Sequence, residues 1–205
     1  MTPEHPVSAP THEVLNQTPP MPTRDVFAAD TSLREAVDRH GADSQVDRLH
    51  ALGRSAGTSA WRETGMEANR DLPRLRSHDR YGHRVDEVDF NPAWHDLMQF
   101  SVEWGLHADP WVSGEKGAHV ARAAGFVTWT QVEPGHLCPI SMTYASVPAL
   151  RRAGVEQSEW IAGLSSRAYD FGLRPPEQKG GLIAGMAMTE KQGGSDVRTN
   201  TTRAL

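Results

Sequence analysis

Met186-Ala187-Met188-Thr189-Glu190-Lys191-Gln192-Gly193-Gly194-Ser195 is the stretch whose residue types and order best suit chemistry. The apolar residues from Gly181 to Met188 read as a strand that delivers a hydroxyl, Thr189, to the mouth of a short loop. That loop reaches Gly193-Gly194, where glycine's freedom at positive φ would let consecutive amide N–H groups converge on an anion, with Ser195 adding a donor. Such a donor set suits a phosphate-bearing cofactor. From the residues alone the alternative is an ordinary polar loop between strands, because Gly-Gly pairs are common turn formers. The segment is not a Walker loop, since it lacks Gly-Lys-Ser/Thr. It is not a dinucleotide fingerprint, since no helical pattern follows.

Other candidate groups carry less. Glu133-Pro134-Gly135-His136 has the Glu-x-x-His spacing of di-iron bundles, but that motif needs a continuous helix, which Pro134 and Gly135 interrupt. Asp170-Phe171-Gly172 echoes a kinase activation segment without the glycine-rich and catalytic loops that must precede one, and reads as a turn. Cys138, beside Pro139 and without a basic neighbour close in sequence, reads as a buried structural thiol rather than a nucleophile. The ten histidines are dispersed, with no close pair in helical register for a metal.

The elements that must position these residues are mostly helical. Six prolines within the first 22 residues predict an extended arm over residues 1–29, either a free tail or a strap docked on a neighbouring subunit. Helical signals begin at Asp30, with a capping box at Ser32 and Glu35 and apolar Leu33, Ala36 and Val37 on one face. Further helices are predicted from Asp43 or Ser44 through Ala56, and from Thr58 to about Asn69. Asp79-Arg80-Tyr81-Gly82 reads as the turn of a small hairpin between Leu72 and Phe90. Asn91-Pro92 is a strong helix start, and Trp94, Leu97, Met98, Ser101, Val102 and Leu106 then share a face. Another helix runs from about Glu115 to Val132. The helical stretch Ile140–Ala153 should be kinked or divided by Pro148, and a shorter helix led by Ser158 follows. After residue 179 the pattern changes to strand, at 181–188 and again at Val197–Leu205. The latter has no visible partner, which predicts an N-terminal piece of a longer protein.

Composition narrows the class. Hydrophobic residues make up 38% of the chain, which is enough for a packed core and argues against global disorder. Lys and Arg number 21 against 26 Asp and Glu, so a net charge of -5 offers no general attraction to a nucleic-acid backbone. One cysteine excludes an internal disulfide or a multi-thiolate metal site, and fits a reducing cytoplasm. No apolar run approaches the roughly 18 residues of a membrane span. The expectation is a soluble cytoplasmic protein.

Residues 187–196 resemble the Ala-x-Thr-Glu-x-x-x-Gly-Ser-Asp signature of the acyl-CoA dehydrogenase superfamily. The Lys-Gln-Gly-Gly run, Phe90-Asn91-Pro92-Ala93-Trp94-His95, the stretch from Leu137 to Tyr144 and Gln178-Lys179-Gly180-Gly181 are similar to its AidB-like branch, flavoproteins linked to the adaptive response to DNA alkylation. The resemblance implies a mainly α fold: an N-terminal helical domain with a small hairpin over residues 30–179, then the first strands of a β-barrel middle domain over 180–205. It implies that Met186, Ala187, Met188, Thr189, Glu190, Lys191, Gln192, Gly193, Gly194 and Ser195 line FAD, with Met188 and Thr189 near the flavin ring and Gly194 and Ser195 near the phosphates. The implied reaction is α,β-dehydrogenation of an acyl-CoA thioester by a homotetramer, with the catalytic carboxylate on a later domain. Duplex DNA would be bound only through a C-terminal region that this chain lacks. Two other readings stand beside it: a DNA-protecting flavoprotein with vestigial dehydrogenase activity, and a cofactor-free helical interaction module.

Overall fold

Side-chain oxygens start several of the helices. In the computed structural model, which describes residues 15–155 and 159–203, the Asp25 carboxylate accepts the Ala28 amide to open α1 (Val26–Ala29). Asp30 accepts the Leu33 amide at 2.9 Å to open α2 (Thr31–Arg39). The expected Ser32–Glu35 capping box is not used: Asp30 stands two residues earlier and takes the free donor itself. Helix α3 (Val46–Ala56) follows a 3-10 turn, and Thr58 caps α4 (Ser59–Ala68). Asn91 caps α5 (Pro92–Glu103), with Pro92 in the first turn as its neighbour in sequence requires. A short α6 (Asp109–Val112), absent from the sequence expectation, precedes α7 (Ala118–Thr130).

The segment expected to be an extended arm ends earlier than residue 29. Phe27, in α1, is 1% exposed and packs with Val37, Leu49 and Ala124. The chain just before it lies against α3 where that helix presents Gly53 and Gly57. A Cβ on Gly57 would fall 1.6 Å from the Arg24 carbonyl oxygen, and one on Gly53 would fall 2.1 Å from an Asp25 oxygen. Two missing side chains make the bed. Arg62 then ties the Met21 and Gly57 carbonyls at 2.8 and 2.7 Å. The strap is thus fastened to its own chain from Met21 onward, while residues 1–14 lie outside the described residues.

Strands β1 (Arg74–His78) and β2 (Arg84–Asp89) form the expected antiparallel hairpin, with Leu75 opposite Val88 and Arg76 opposite Glu87. Asp79 holds the turn by accepting the Tyr81 and His83 amides at 2.8 and 2.9 Å. A register shift falls between Arg76 and His78, and across from it Asp86 adopts φ 49°, so the hairpin is bulged.

The largest core cluster is aromatic at its centre. Trp129 is fully buried, stacked on Phe100 with centroids 4.1 Å apart and met edge-on by Trp61 at 5.1 Å, among Leu52, Leu97, Met98, Leu137 and Ile140. Trp94, expected on the buried face, is half-buried and stacked on Phe90 at 4.0 Å.

Helix α8 (Leu137–Arg152) runs through Pro148 without being divided. Proline deprives the Tyr144 carbonyl of its helical N–H partner. The Trp111 indole N–H supplies the replacement at 2.8 Å, which explains why the helix survives. Cys138, on the first turn of α8, is exposed; the buried-thiol expectation fails because the inward positions there are taken by Leu137 and Ile140. The last helix, α9 (Glu159–Leu164), packs its buried Ile161 and Leu164 with Val147 of α8. The Ser158 start expected for it lies outside the described residues.

Candidate cofactor-binding site

Residues 180–184 are fastened to the helical body before the candidate loop begins. Gly180 donates to an Asp170 oxygen at 2.9 Å, Leu182 donates to the Gly163 carbonyl at 3.0 Å, and Ala184 donates to the buried Thr143 hydroxyl at 3.0 Å. Leu182 and Ala184 join the Val147–Ile161–Leu164 cluster. Gly163 is needed there, since a Cβ would lie 2.7 Å from the Leu182 side chain. Asp170 is held below the usual carboxylate range, first by the Gly180 amide, and then by Arg174 and Lys179 despite some burial. The Asp170-Phe171-Gly172 turn therefore anchors the segment that leads to the loop.

From Gly185 to Thr189 the chain is exposed and makes no ladder among the described residues. Neither 181–188 nor the described part of Val197–Leu205 is a strand; Val197–Thr199 is a 3-10 turn capped by Asp196. The strand expectation fails for a physical reason. A strand is completed by a neighbour's hydrogen bonds, and among the described residues none lies alongside.

Glu190 and Gly193 exchange both backbone hydrogen bonds at 3.1 Å, a two-residue turn with Lys191 and Gln192 at its tip. The Glu190 carboxylate accepts the Thr201 and Thr202 amides at 2.9 and 2.6 Å, and Asn200 donates to the Met188 carbonyl at 2.7 Å. Glu190 thereby fastens the chain's last described stretch to the loop. Hydrogen bonds from Thr202, and then Thr201, hold its carboxyl below the usual range, so it is a poor proton acceptor and serves as an anchor. These partners sit eleven and twelve residues away, with no local sequence signal to announce them.

Gly193 and Gly194 are not at positive φ, and the Gly193 amide is spent on Glu190. A converging pair of glycine amides is therefore not what the loop presents. Gly194 is required by crowding instead: a Cβ there would lie 2.7 Å from the Thr189 methyl. The Thr189 and Ser195 hydroxyls and the Gly194 and Ser195 amides have no partners among the described residues, as is also true of the amides of Met186 to Thr189, Lys191 and Gln192 along the same exposed segment. Beside them, Met186 and Met188 are 56% and 51% exposed. Apolar thioethers next to unpartnered hydroxyls and amides fit a ligand with a flat apolar ring and an anionic tail, the chemistry of a flavin nucleotide.

Glu133 and His136 are brought together by the Pro-Gly turn itself. Glu133 accepts the Gly135 and His136 amides at 2.6 and 2.8 Å and the His136 Nδ1–H at 2.9 Å. His136 Nε2 receives the Trp129 indole N–H and meets the Ser101 hydroxyl, both at 3.0 Å. The Ser-His-Glu arrangement is sealed, with Ser101 and His136 fully buried. It is a structural network, with Nε2 already occupied. No group of three or more metal-binding side chains forms among the described residues.

Residues 16–171 match the adaptive response protein AidB N-terminal domain family. The chain belongs to that family. It is 45% identical over 196 residues to the putative acyl-CoA dehydrogenase AidB of Escherichia coli (strain K12), covering 95% of this chain and 36% of the relative. It is 31% identical over 153 residues to acyl-CoA dehydrogenase family member 11 of Caenorhabditis elegans, covering 68% of this chain and 22% of the relative. The chain spans about a third or less of the length of the curated relatives it matches. Its fold is that of Caenorhabditis elegans ACDH-11, crystallised in complex with C11-CoA (TM-score 0.73, 24% identity, 93% of this chain and 32% of that one). Bd2924 in its apo-form is also similar (TM-score 0.71, 24% identity, 87% and 35%). The mainly helical architecture with one hairpin agrees with the sequence expectation.

Proposed function

We propose that this chain supplies the N-terminal helical part of a FAD-dependent acyl-CoA dehydrogenase-like flavoprotein, linked to the response to DNA alkylation, and that residues 180–205 open its middle domain. The observation that carries the reading is the set of unpartnered donors on Thr189, Gly194 and Ser195 beside exposed Met186 and Met188, in a chain of this family. Met188 and Thr189 would border the flavin ring, and Gly194 and Ser195 would donate to its phosphates. Bound there, FAD supplies the two-electron acceptor for α,β-dehydrogenation of an acyl-CoA thioester. Asp170, Gly163 and Thr143 hold the incoming segment, and Glu190 holds the outgoing one, so both ends of the loop are tied. The C11-CoA in the ACDH-11 structure supports an acyl-CoA class of substrate. A cytoplasmic homotetramer completes the proposal, with any duplex-DNA contact made by regions outside this chain.

The test is flavin absorbance per polypeptide after gel filtration of the whole protein that carries this chain. Ser195→Ala should weaken FAD retention by roughly 10- to 100-fold, the range for losing a hydrogen bond to an ionised group. Gly194→Val should be worse, because its side chain collides with Thr189. Lys191→Ala, at the exposed turn tip, should stay near wild type. Undiminished flavin in both the Ser195 and Gly194 variants removes the loop from the cofactor site.

A further inference from the structure

Helices α4 and α5 leave an open groove of about 420 Å³ between them. Its floor is aromatic. Trp61 and Phe100, both partly exposed, meet edge-on there with centroids 4.8 Å apart. The exposed side of the groove is a stripe of α5, where Asp96, Gln99 and Glu103 join Phe100 at the i, i+3, i+4, i+7 spacing that puts residues on one side of a helix. Thr64 contributes from α4, and among the described residues no Lys, Arg or His lines the groove.

The side-chain oxygens of this groove are left as acceptors. Asp96 makes no hydrogen bond and no ion pair among the described residues. Its neighbour in sequence, His95, meets the Tyr169 hydroxyl at 2.8 Å and is drawn by burial below its ordinary pKa, so it is neutral at pH 7. Gln99 gives a side-chain N–H to one Glu103 oxygen at 2.8 Å, which leaves the Gln99 carbonyl oxygen and the second Glu103 oxygen open. The Thr64 hydroxyl donates to the Ala60 carbonyl at 3.0 Å and keeps its lone pairs. Two carboxylates thus flank an aromatic floor with no cation to match them.

Their spacing selects the ligand. Asp96 and Glu103 stand two turns apart on α5, about 10 Å along the axis. That is too far for both to bind one metal ion, whose oxygen ligands must come within about 2.6 Å. A lone ammonium or guanidinium would reach one carboxylate only. A rod-shaped cation meets both: an extended chain advances roughly 1.2 Å per bond, so about eight atoms between two terminal ammonium groups cover the distance. The methylenes of such a chain cover apolar surface at Trp61 and Phe100, and an alkylammonium gains further from aromatic rings.

We propose that the groove between α4 and α5 binds a linear polyamine of spermidine length, with its terminal ammonium groups at Asp96 and Glu103 and its chain along Trp61 and Phe100. The site shares no residue with the cofactor loop, and its test does not depend on flavin. The experiment is calorimetric titration of the whole protein with spermidine at fixed ionic strength. Parallel titrations use 1,8-diaminooctane, which has the same span with one charge fewer, putrescine, which is too short to reach both carboxylates, and magnesium chloride. Saturable binding of one spermidine per chain is expected, with diaminooctane ahead of putrescine and Mg²⁺ although all three carry two charges. Asp96→Asn and Glu103→Gln should each weaken spermidine about three- to fivefold, the range for an exposed ion pair, and the double variant about tenfold or more. Glu35→Gln, a surface change on α2, should leave binding unchanged. In the wild-type protein, NMR magnetisation transfer from the spermidine methylenes should reach the Trp61 and Phe100 ring protons, which keeps the test decisive if a variant does not fold. The proposal is overturned by an absence of saturable binding (including the case where another part of the protein covers the groove), by putrescine or Mg²⁺ binding as tightly as spermidine, by undiminished affinity in both single variants, or by transfer that misses both rings.

Discussion

Acidification should destabilise this protein through His136, and the size of the effect follows from one proton's position. Trp129 Nε1 can only donate, so His136 Nε2 must accept, and the single ring proton is on Nδ1, where it donates to Glu133. A second proton on Nε2 would face the indole N–H in a fully buried site. Burial accordingly lowers the His136 pKa below its ordinary value of 6.5, although Glu133 partly opposes this. The sign then follows. Below about pH 6.5 the unfolded chain binds a proton at this histidine and the folded chain does not, so stability falls as pH falls. The loss approaches about 1.4 kcal/mol per pH unit below pH 6.5 and ends where the folded pKa is reached.

His107 and His95 are lowered by burial too and act in the same direction, so the His136 share is obtained from variants. Urea denaturation across pH 5 to 7.5 is the assay. His136→Gln should flatten the curve by up to about 1.4 kcal/mol per pH unit. Trp129→Phe keeps an aromatic ring against Phe100 and removes the opposing donor. It should lower stability at pH 7.5 while raising the folded pKa of His136, and so reduce the acid slope. If the His136 ring signal in the folded protein titrates with a midpoint near 6.5, or if both variants retain the wild-type slope, the reasoning is wrong.

Three further outcomes are expected. Gly57→Ala should push the strap at Arg24 off α3 and unseat Phe27, at a cost of about 2 to 3 kcal/mol for losing that burial; early proteolysis after Arg24 together with a lowered urea midpoint would show it. Trp111→Phe removes the donor that stands in for the amide absent at Pro148, leaves the Tyr144 carbonyl unmet, and should destabilise by about 1 to 3 kcal/mol in the same measurement. Glu190→Ala should accelerate hydrogen exchange at the Thr201 and Thr202 amides and leave α8 unaffected; unchanged exchange would show that the loop and the final segment are held by something else.

The helices were legible because their signals are local. Asn91-Pro92, Thr58 and the spaced apolar residues of α3 and α5 state start and inward face within a few positions, and the hairpin turn is written in four residues. What the sequence did not show depends on partners far away along the chain. Pro148 signals a break, and only Trp111, 37 positions earlier, cancels it. Cys138 is exposed because its neighbours Leu137 and Ile140 take the inward positions. Pro134 and Gly135 interrupt the helix that a Glu-x-x-His metal motif needs. The same turn nonetheless folds the Glu133 carboxylate back onto the His136 ring.

The candidate loop shows the same division at the site itself. Thr189, Ser195 and the two methionines were identifiable by residue type, and they are exposed with their donors unpartnered among the described residues. Gly193 and Gly194 do not act through positive φ, and Gly194 is needed for its missing side chain; glycine's two uses look identical in sequence. One is backbone freedom and the other is the absence of a side chain. Gly53, Gly57, Gly163 and Gly194 all serve the second use, each admitting a neighbour that a Cβ would strike at under 3 Å. Close approach, more than unusual backbone geometry, therefore governs how this chain fastens its strap to α3, its incoming segment to α9, and Thr189 into the loop. A Gly194→Ala change separates the two ideas. Its backbone conformation is open to alanine, so a loss of cofactor retention there would have to come from displaced Thr189.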